Sequence, residues 1–448
     1  MRLSSRNTKR LYAVRESMWF TPTVMALVGA IAALVLPLLD ARLFPPDGQE
    51  LTVFERFTPG PSAAESLLSV GVGALATILG VALSMTIVTL QLAAVQYTSR
   101  IIRRFMADQF TLLTLGAFLA TITYLAVLLQ AISTGGEGLP AFVPPISFTL
   151  AVFLFVGCVL LLAYFSHHVA QSIQTGTVLA VIGKSALREV RKYEVRPARR
   201  VLREQELRPE ECVFVTNDTP GYIQLIDERR LLSAIPMGCT IQVEATTGRF
   251  MLPGRPLVSI APKIEVTPRM ERKVRQAFAI ARERTIHQDV LFGVRQLVDI
   301  VLKALSPAIN DVTTALMGIN ELGVITAEFA RREQATRAGY SVVEQRGRRL
   351  LIRRLDLETL LAHAFDEIPD SAQDHPLVLA RLLEVLNEVI EVTHLPAARK
   401  LLLETGARIA RTTDMAHLKP WEAELVRKRF RWLSDGRDDL SWDPVDPI

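Results

Sequence analysis

The chain has 448 residues, 50% of them hydrophobic and 22% charged, with 51 Lys and Arg against 46 Asp and Glu. A single soluble unit rarely combines these properties, and here they separate: apolar runs fill about residues 20 to 165, and charges are dense from about 184 onward. The net charge of +5 does not point to nucleic acid, because basic residues alternate with acidic ones and no basic run is interleaved with aromatics; a membrane surface accounts for the excess.

Residues 17–39 form the first uncharged run, long enough to cross about 30 Å of hydrocarbon, with Trp19 and Phe20 at its start as interfacial aromatics. Further apolar runs follow and no small-residue cleavage site does, so this run is expected to be a retained anchor. The second span, 66–97, exceeds the roughly 20 residues that a crossing needs and must tilt or protrude. The third and fourth spans fall at 111–132 and about 144–166, joined by a stretch rich in Gly and Pro. Lys and Arg cluster in the N-terminal tail, at Arg100, Arg103 and Arg104, and from Lys184 to Lys192. This places both termini on the cytoplasmic side.

Gly73, Thr77, Gly80, Ser84 and Gln91 share one stripe of the second span, and Gly116, Thr123 and Gln130 repeat the pattern in the third. Such rows either pack helices or line water between subunits. No Asp, Glu, Lys or Arg lies deep in any span, which disfavours an ion-coupled pump. His167 and His168 sit at the end of the fourth span, as solvated interfacial groups or a pH sensor. Cys158, Cys212 and Cys239 show neither metal nor disulfide spacing and suit a reducing compartment.

Residues 1–183 therefore read as a transmembrane domain, and 184–210 as a helical stalk continuing the fourth span and a linker. Short β-type runs punctuated by Pro220-Gly221, Thr247-Gly248 and Pro253-Gly254 make 211–265 a small β-barrel or sandwich domain. From 266 to 448 the pattern is that of a helical cytoplasmic domain, interrupted by a polar break at 331–349, with Pro376 and Pro396 near helix starts. The fold class is a mainly α membrane protein. Between 290 and 305 an apolar helix face is backed by Arg295, Asp299 and Lys303 at intervals of four. Ser306-Pro307 reads as an N-cap with Pro at the first helical position, and Asn310 or Asp311 as the cap of a further turn. A cation site built from His287, Asp289, Asp299, Asn310 and Asp311 is the alternative use of these polar residues, but their spacing matches no established ligand loop.

LQLAAVQYTSRIIRRFMAD at 90–108 and QDVLFGVRQLVDIVLKALSPAINDVTTA at 288–315 resemble the two signature stretches of the bacterial membrane-protein family catalogued as domain of unknown function 2254. The resemblance covers nearly the whole chain. It implies a bacterial inner-membrane location and no established activity. Where many relatives have Pro after the Asn-Asp pair, this chain has Val312, which implies a relaxed turn.

The leading expectation is a homo-oligomeric channel or passive transport protein. Thr77, Ser84, Gln91, Thr123 and Gln130 would line its path, and Arg100, Arg103 and Arg104 would form its cytoplasmic mouth. The cytoplasmic part, with signature residues Asp289, Arg295, Asp299, Ser306, Asn310 and Asp311, would assemble and gate the subunits. The alternative is a membrane-anchored sensor or scaffold that binds a cytoplasmic protein partner. No phosphate loop, zinc helix or nucleophile elbow is present, so neither catalysis, metal nor cofactor is expected; the partners are the lipid bilayer and further copies.

Overall fold

The computed structural model describes residues 19–43, 59–96, 108–132, 143–172, 174–192, 201–202, 207–332, 339–412 and 418–434. Two units emerge, residues 1–174 and 175–448.

The first unit holds four helices, each long and apolar enough to cross a membrane. They are α1 (Phe20–Leu43), α2 (Pro61–Gln96), α3 (Gln109–Leu129) and α4 (Pro145–Ser172). The 36 residues of α2 extend about 54 Å, well beyond a hydrocarbon core of about 30 Å. α3 is the central helix, packed on the other three, with Phe118, Tyr124, Leu125 and Leu128 in the core. Its approach to α1 is close: a Cβ added at Gly29 would lie 2.5 Å from the Ala120 carbonyl oxygen, and one at Gly116 would lie 2.4 Å from Met25 Sδ. Small residues thus let these backbones meet, as lipid-embedded helices require.

The second unit begins with α5 (Thr175–Lys192), a helix separate from α4 rather than its continuation, and α5 packs on α8 (Val290–Ala304) and α9 (Val312–Ala330). A mixed sheet takes the order β1 (Val201–Leu202), β8 (Tyr340–Gln345), β9 (Arg348–Arg353), β4 (Thr240–Val243), β6 (Pro256–Ala261), β2 (Val213–Thr216). A three-stranded sheet takes the order β5 (Phe250–Met251), β3 (Gly221–Ile226), β7 (Phe278–Ala281). Of the barrel or sandwich expected for 211–265, the barrel is corrected, since among the described residues no sheet closes. Strands outside that range complete both sheets, and β9 pairs in parallel with β4, Leu350 opposite Ile241. Both sheets share one core with the short helices α6 (Glu228–Ala234) and α7 (Pro268–Gln276), including Ile223, Ile241, Val258, Leu231 and Val274.

Of the stretch expected to be a polar break, residues 340–349 belong to a hairpin, while 333–338 lie outside the described residues. Arg346 and Gly347, at φ 50° and 69°, form the tight turn between β8 and β9, a conformation that matches the strand twist. Helices α10 (Leu357–Phe365), α11 (Ile368–Ser371), α12 (Pro376–Glu391), α13 (Pro396–Thr412) and α14 (Pro420–Ser434) complete the unit, and Pro376 and Pro396 each open a helix as expected.

Candidate functional site

On α2, the packed face carries Leu68, Leu75, Ala82, Thr86 and Thr89, all buried. At about 100° per residue, the row Gly73, Thr77, Gly80, Ser84, Gln91 centres about 180° around the helix from that face. Every member of the row is exposed on the unit. A Cβ added at Gly73 or Gly80 would meet nothing within 4 Å, whereas one at Gly71 would lie 3.1 Å from Leu125. Thr77 and Ser84 donate their hydroxyls to the carbonyls of Gly73 and Gly80, at 3.0 and 2.9 Å, and each hydroxyl oxygen keeps lone pairs free to accept.

The corresponding row of α3 behaves differently. Gly116 is closed against Met25 of α1, Thr123 is half-buried with its hydroxyl on the Leu119 carbonyl at 2.8 Å, and Gln130 is exposed just past the helix end. Packing thus accounts for Gly116, while no neighbour among the described residues accounts for the α2 row. Arg100, Arg103 and Arg104 lie outside the described residues.

Two polar positions in this unit stand out. Asp40 belongs to the last turn of α1, is 1% exposed and bonds to Ser147. His168 Nε2 lies 3.0 Å from Oδ2 of Asp108, the N-cap of α3, and its ring stacks at a tilt on Phe110. His168 is therefore a partnered group, not merely a solvated one.

In the second unit, the start of the second signature stretch is a structural knot. Asp289 caps α8 by accepting the Phe292 N–H at 3.1 Å and holds Arg284 in a two-pronged ion pair at 3.0 and 2.9 Å. Arg284 also lies over the Phe292 ring, 5.1 Å from its centroid. Burial pushes the Asp289 carboxyl above its ordinary pKa, and Arg284 recovers only part of the shift. The neighbouring Gln288 sits at φ 58°, a strained conformation for a residue with a side chain. Its side-chain oxygen accepts the Ile226 N–H at 3.0 Å, its backbone carbonyl accepts the Thr247 hydroxyl at 2.8 Å, and its N–H donates to buried Glu189 at 3.2 Å.

The remaining signature residues have structural partners. Arg295 pairs with Asp299 at 2.7 Å and with Glu367. Ser306 does not cap a helix; its hydroxyl donates to the Lys303 carbonyl at 2.7 Å within a turn. Asn310 adopts a left-handed φ of 49°, and Asp311 caps α9 by accepting the Thr314 N–H at 3.0 Å. Val312 is then the first helical residue, a position where Pro is equally at home, so the turn is made here without it. Of the five residues considered as a cation site, Asp289, Asp299, Asn310 and Asp311 serve these separate roles, and His287 lies 3.7 Å from the Glu189 carboxylate. Among the described residues, no three His, Cys, Asp or Glu side chains come together in a way that could hold a metal ion.

Two adjoining cavities, of about 190 and 410 Å³, open over the knot and share Thr246, Thr247, Gln288, Arg353 and Arg354. Nothing in local sequence marked this cleft, because its walls come from α5, the turn at 246–249, the start of α8 and the end of β9.

The family described as a predicted membrane protein, DUF2254, matches residues 15–388. The chain belongs to this family. Uncharacterised proteins of Mycobacterium tuberculosis and Mycobacterium bovis are 28% identical to the chain over 416 residues, covering 90% of this chain and 77% of each relative. No solved structure matches. The DUF2254 assignment agrees with four apolar helices and names no activity, so function must be argued from geometry.

Proposed function

We propose that the protein is a homo-oligomeric channel or passive transport protein of the bacterial inner membrane, with its path between copies, lined by the outward row of α2. The carrying observation is that Gly73, Thr77, Gly80, Ser84 and Gln91 point directly away from the bundle that buries the opposite face of the helix. In lipid, the Gln91 amide would leave two donors and an acceptor without partners, and among the described residues it makes no hydrogen bond. A second copy of the row, or water held between copies, supplies them. The charge pattern of the connecting segments supports cytoplasmic termini, and in this reading Arg100, Arg103 and Arg104 stand at the inner mouth. Thr123, half-buried with its hydroxyl on the Leu119 carbonyl, is left to packing, and exposed Gln130 stays a candidate for the path. The reading assigns no catalysis and no cofactor.

The second reading, a membrane-anchored sensor or scaffold, is favoured by the cleft in the second unit. Ionic current across a planar bilayer containing the purified chain, with Gln91→Leu in parallel, separates the two. Discrete conductance altered by the substitution is the expected result; silence across voltage and pH would exclude conduction and favour the sensor.

A further inference from the structure

The cleft over the Gln288–Asp289 knot carries an inference independent of conduction. We propose that it binds a phosphate group, carried by a soluble small molecule or by a lipid headgroup. The larger cavity, about 410 Å³, lies within the usual size range of small-molecule sites, and the adjoining cavity of about 190 Å³ extends it.

Charge in the cleft is unequally committed. The acids of the lining have internal partners. Glu244 accepts from Ser259 at 2.5 Å and Gln242 at 3.1 Å, and Asp289 is held by Arg284. Asp356 caps α10 through the Thr359 N–H at 2.7 Å, and Glu189 is paired with Lys192 at 2.6 Å. By contrast, the guanidinium groups of Arg249 and Arg353, both in the lining, make no hydrogen bond or ion pair among the described residues, and the Thr246 hydroxyl is likewise open. Two uncommitted planar forks facing one cavity suit the bidentate geometry of a phosphate.

The frame around these groups is rigid. Gln288 is held at a left-handed φ by bonds to β3 and α5. Gly248, at φ 80°, approaches Asp289 so closely that a Cβ there would lie 2.1 Å from its carboxylate oxygen. The strained Gln288 accepts the Thr247 hydroxyl at 2.8 Å on its carbonyl and so ties down the turn that ends in Arg249.

The test uses the full chain in detergent, titrated at constant ionic strength with pyrophosphate, ADP and a short-chain phosphatidic acid, and read by thermal shift and calorimetry. Saturable binding of at least one probe is expected. It should weaken at least about tenfold in Arg249→Ala/Arg353→Ala and stay unchanged in Arg269→Ala, which alters an exposed arginine outside the cleft. Binding of pyrophosphate or ADP assigns a soluble ligand; binding of the phosphatidic acid alone assigns a headgroup. If the alanine pair does not fold, the lysine pair, which keeps charge but loses the fork, should weaken binding several-fold. No saturable binding, or binding undiminished by these variants, overturns the proposal, as does an equal loss in Arg269→Ala.

Discussion

Asp40 and Ser147, 107 residues apart in the chain, meet at one end of the four-helix unit, where Asp40 Oδ2 accepts the Ser147 N–H at 2.8 Å and its hydroxyl at 2.6 Å. Ser147 lies in the first turn of α4, whose N–H groups have no intrahelical acceptor, so a carboxylate of α1 caps a different helix. The Tyr124 hydroxyl of α3 donates to the Ser147 carbonyl at 3.0 Å, which ties three helices at one residue. Asp40→Ala should cost about 1–3 kcal/mol by leaving buried donors unpaired, and Asp40→Asn less because an acceptor remains. Denaturation of the detergent-solubilised chain measures both. Wild-type stability in the alanine variant would show that the bond contributes nothing.

If copies of α2 face one another, Ser84→Cys should cross-link between subunits with a short bifunctional maleimide. Leu75→Cys on the packed face should not. Background is low because Cys158, Cys212 and Cys239 are all buried. Monomer alone from Ser84→Cys would remove the basis for a path between copies.

Gly248 and Gly254 both sit near φ 80°, but only the first has a neighbour in the way. Replacing either by Ala costs about 1–2 kcal/mol of left-handed strain. Gly248→Ala should lose clearly more stability than Gly254→Ala, because its methyl displaces Asp289. Equal losses in denaturant melts would mean that the close approach is relieved at no cost.

The Asp289 carboxyl binds its proton more tightly in the fold than in the unfolded chain, because burial outweighs Arg284. Its stabilising contribution is therefore complete below the unfolded pKa and is lost as pH rises through the raised folded value. Asp289→Asn removes this titration. Relative to the wild type, the variant should gain stability as pH rises from about 4 toward 7. Melting temperatures across that range check the sign; a constant or falling difference would contradict it.

The β8–β9 hairpin leaves a trace in the sequence. YSVVEQ and RRLLIR flank an Arg-Gly pair, which is a turn signal, but the surrounding charge obscured it. Asp311 as a cap and the Arg295–Asp299 pair were legible because both depend on residues three or four apart on one helix. The burial of Asp40 was not legible, because its partner Ser147 lies in another helix.

By itself the sequence determined the four apolar helices, since spanning capacity is a sum over about 20 consecutive residues and needs no knowledge of neighbours. It also determined that Gly73, Thr77, Gly80, Ser84 and Gln91 share one side of α2, because helical periodicity is local. Only the tertiary structure decided that this side faces away from the bundle while Gly116 of α3 is closed against α1. The same holds for the pairing of β9 with β4 and for the cleft in which Arg249 and Arg353 have no partner among the described residues. Packing direction and the pairing of distant groups depend on which surfaces bury one another, a property of the whole fold that no window of sequence contains.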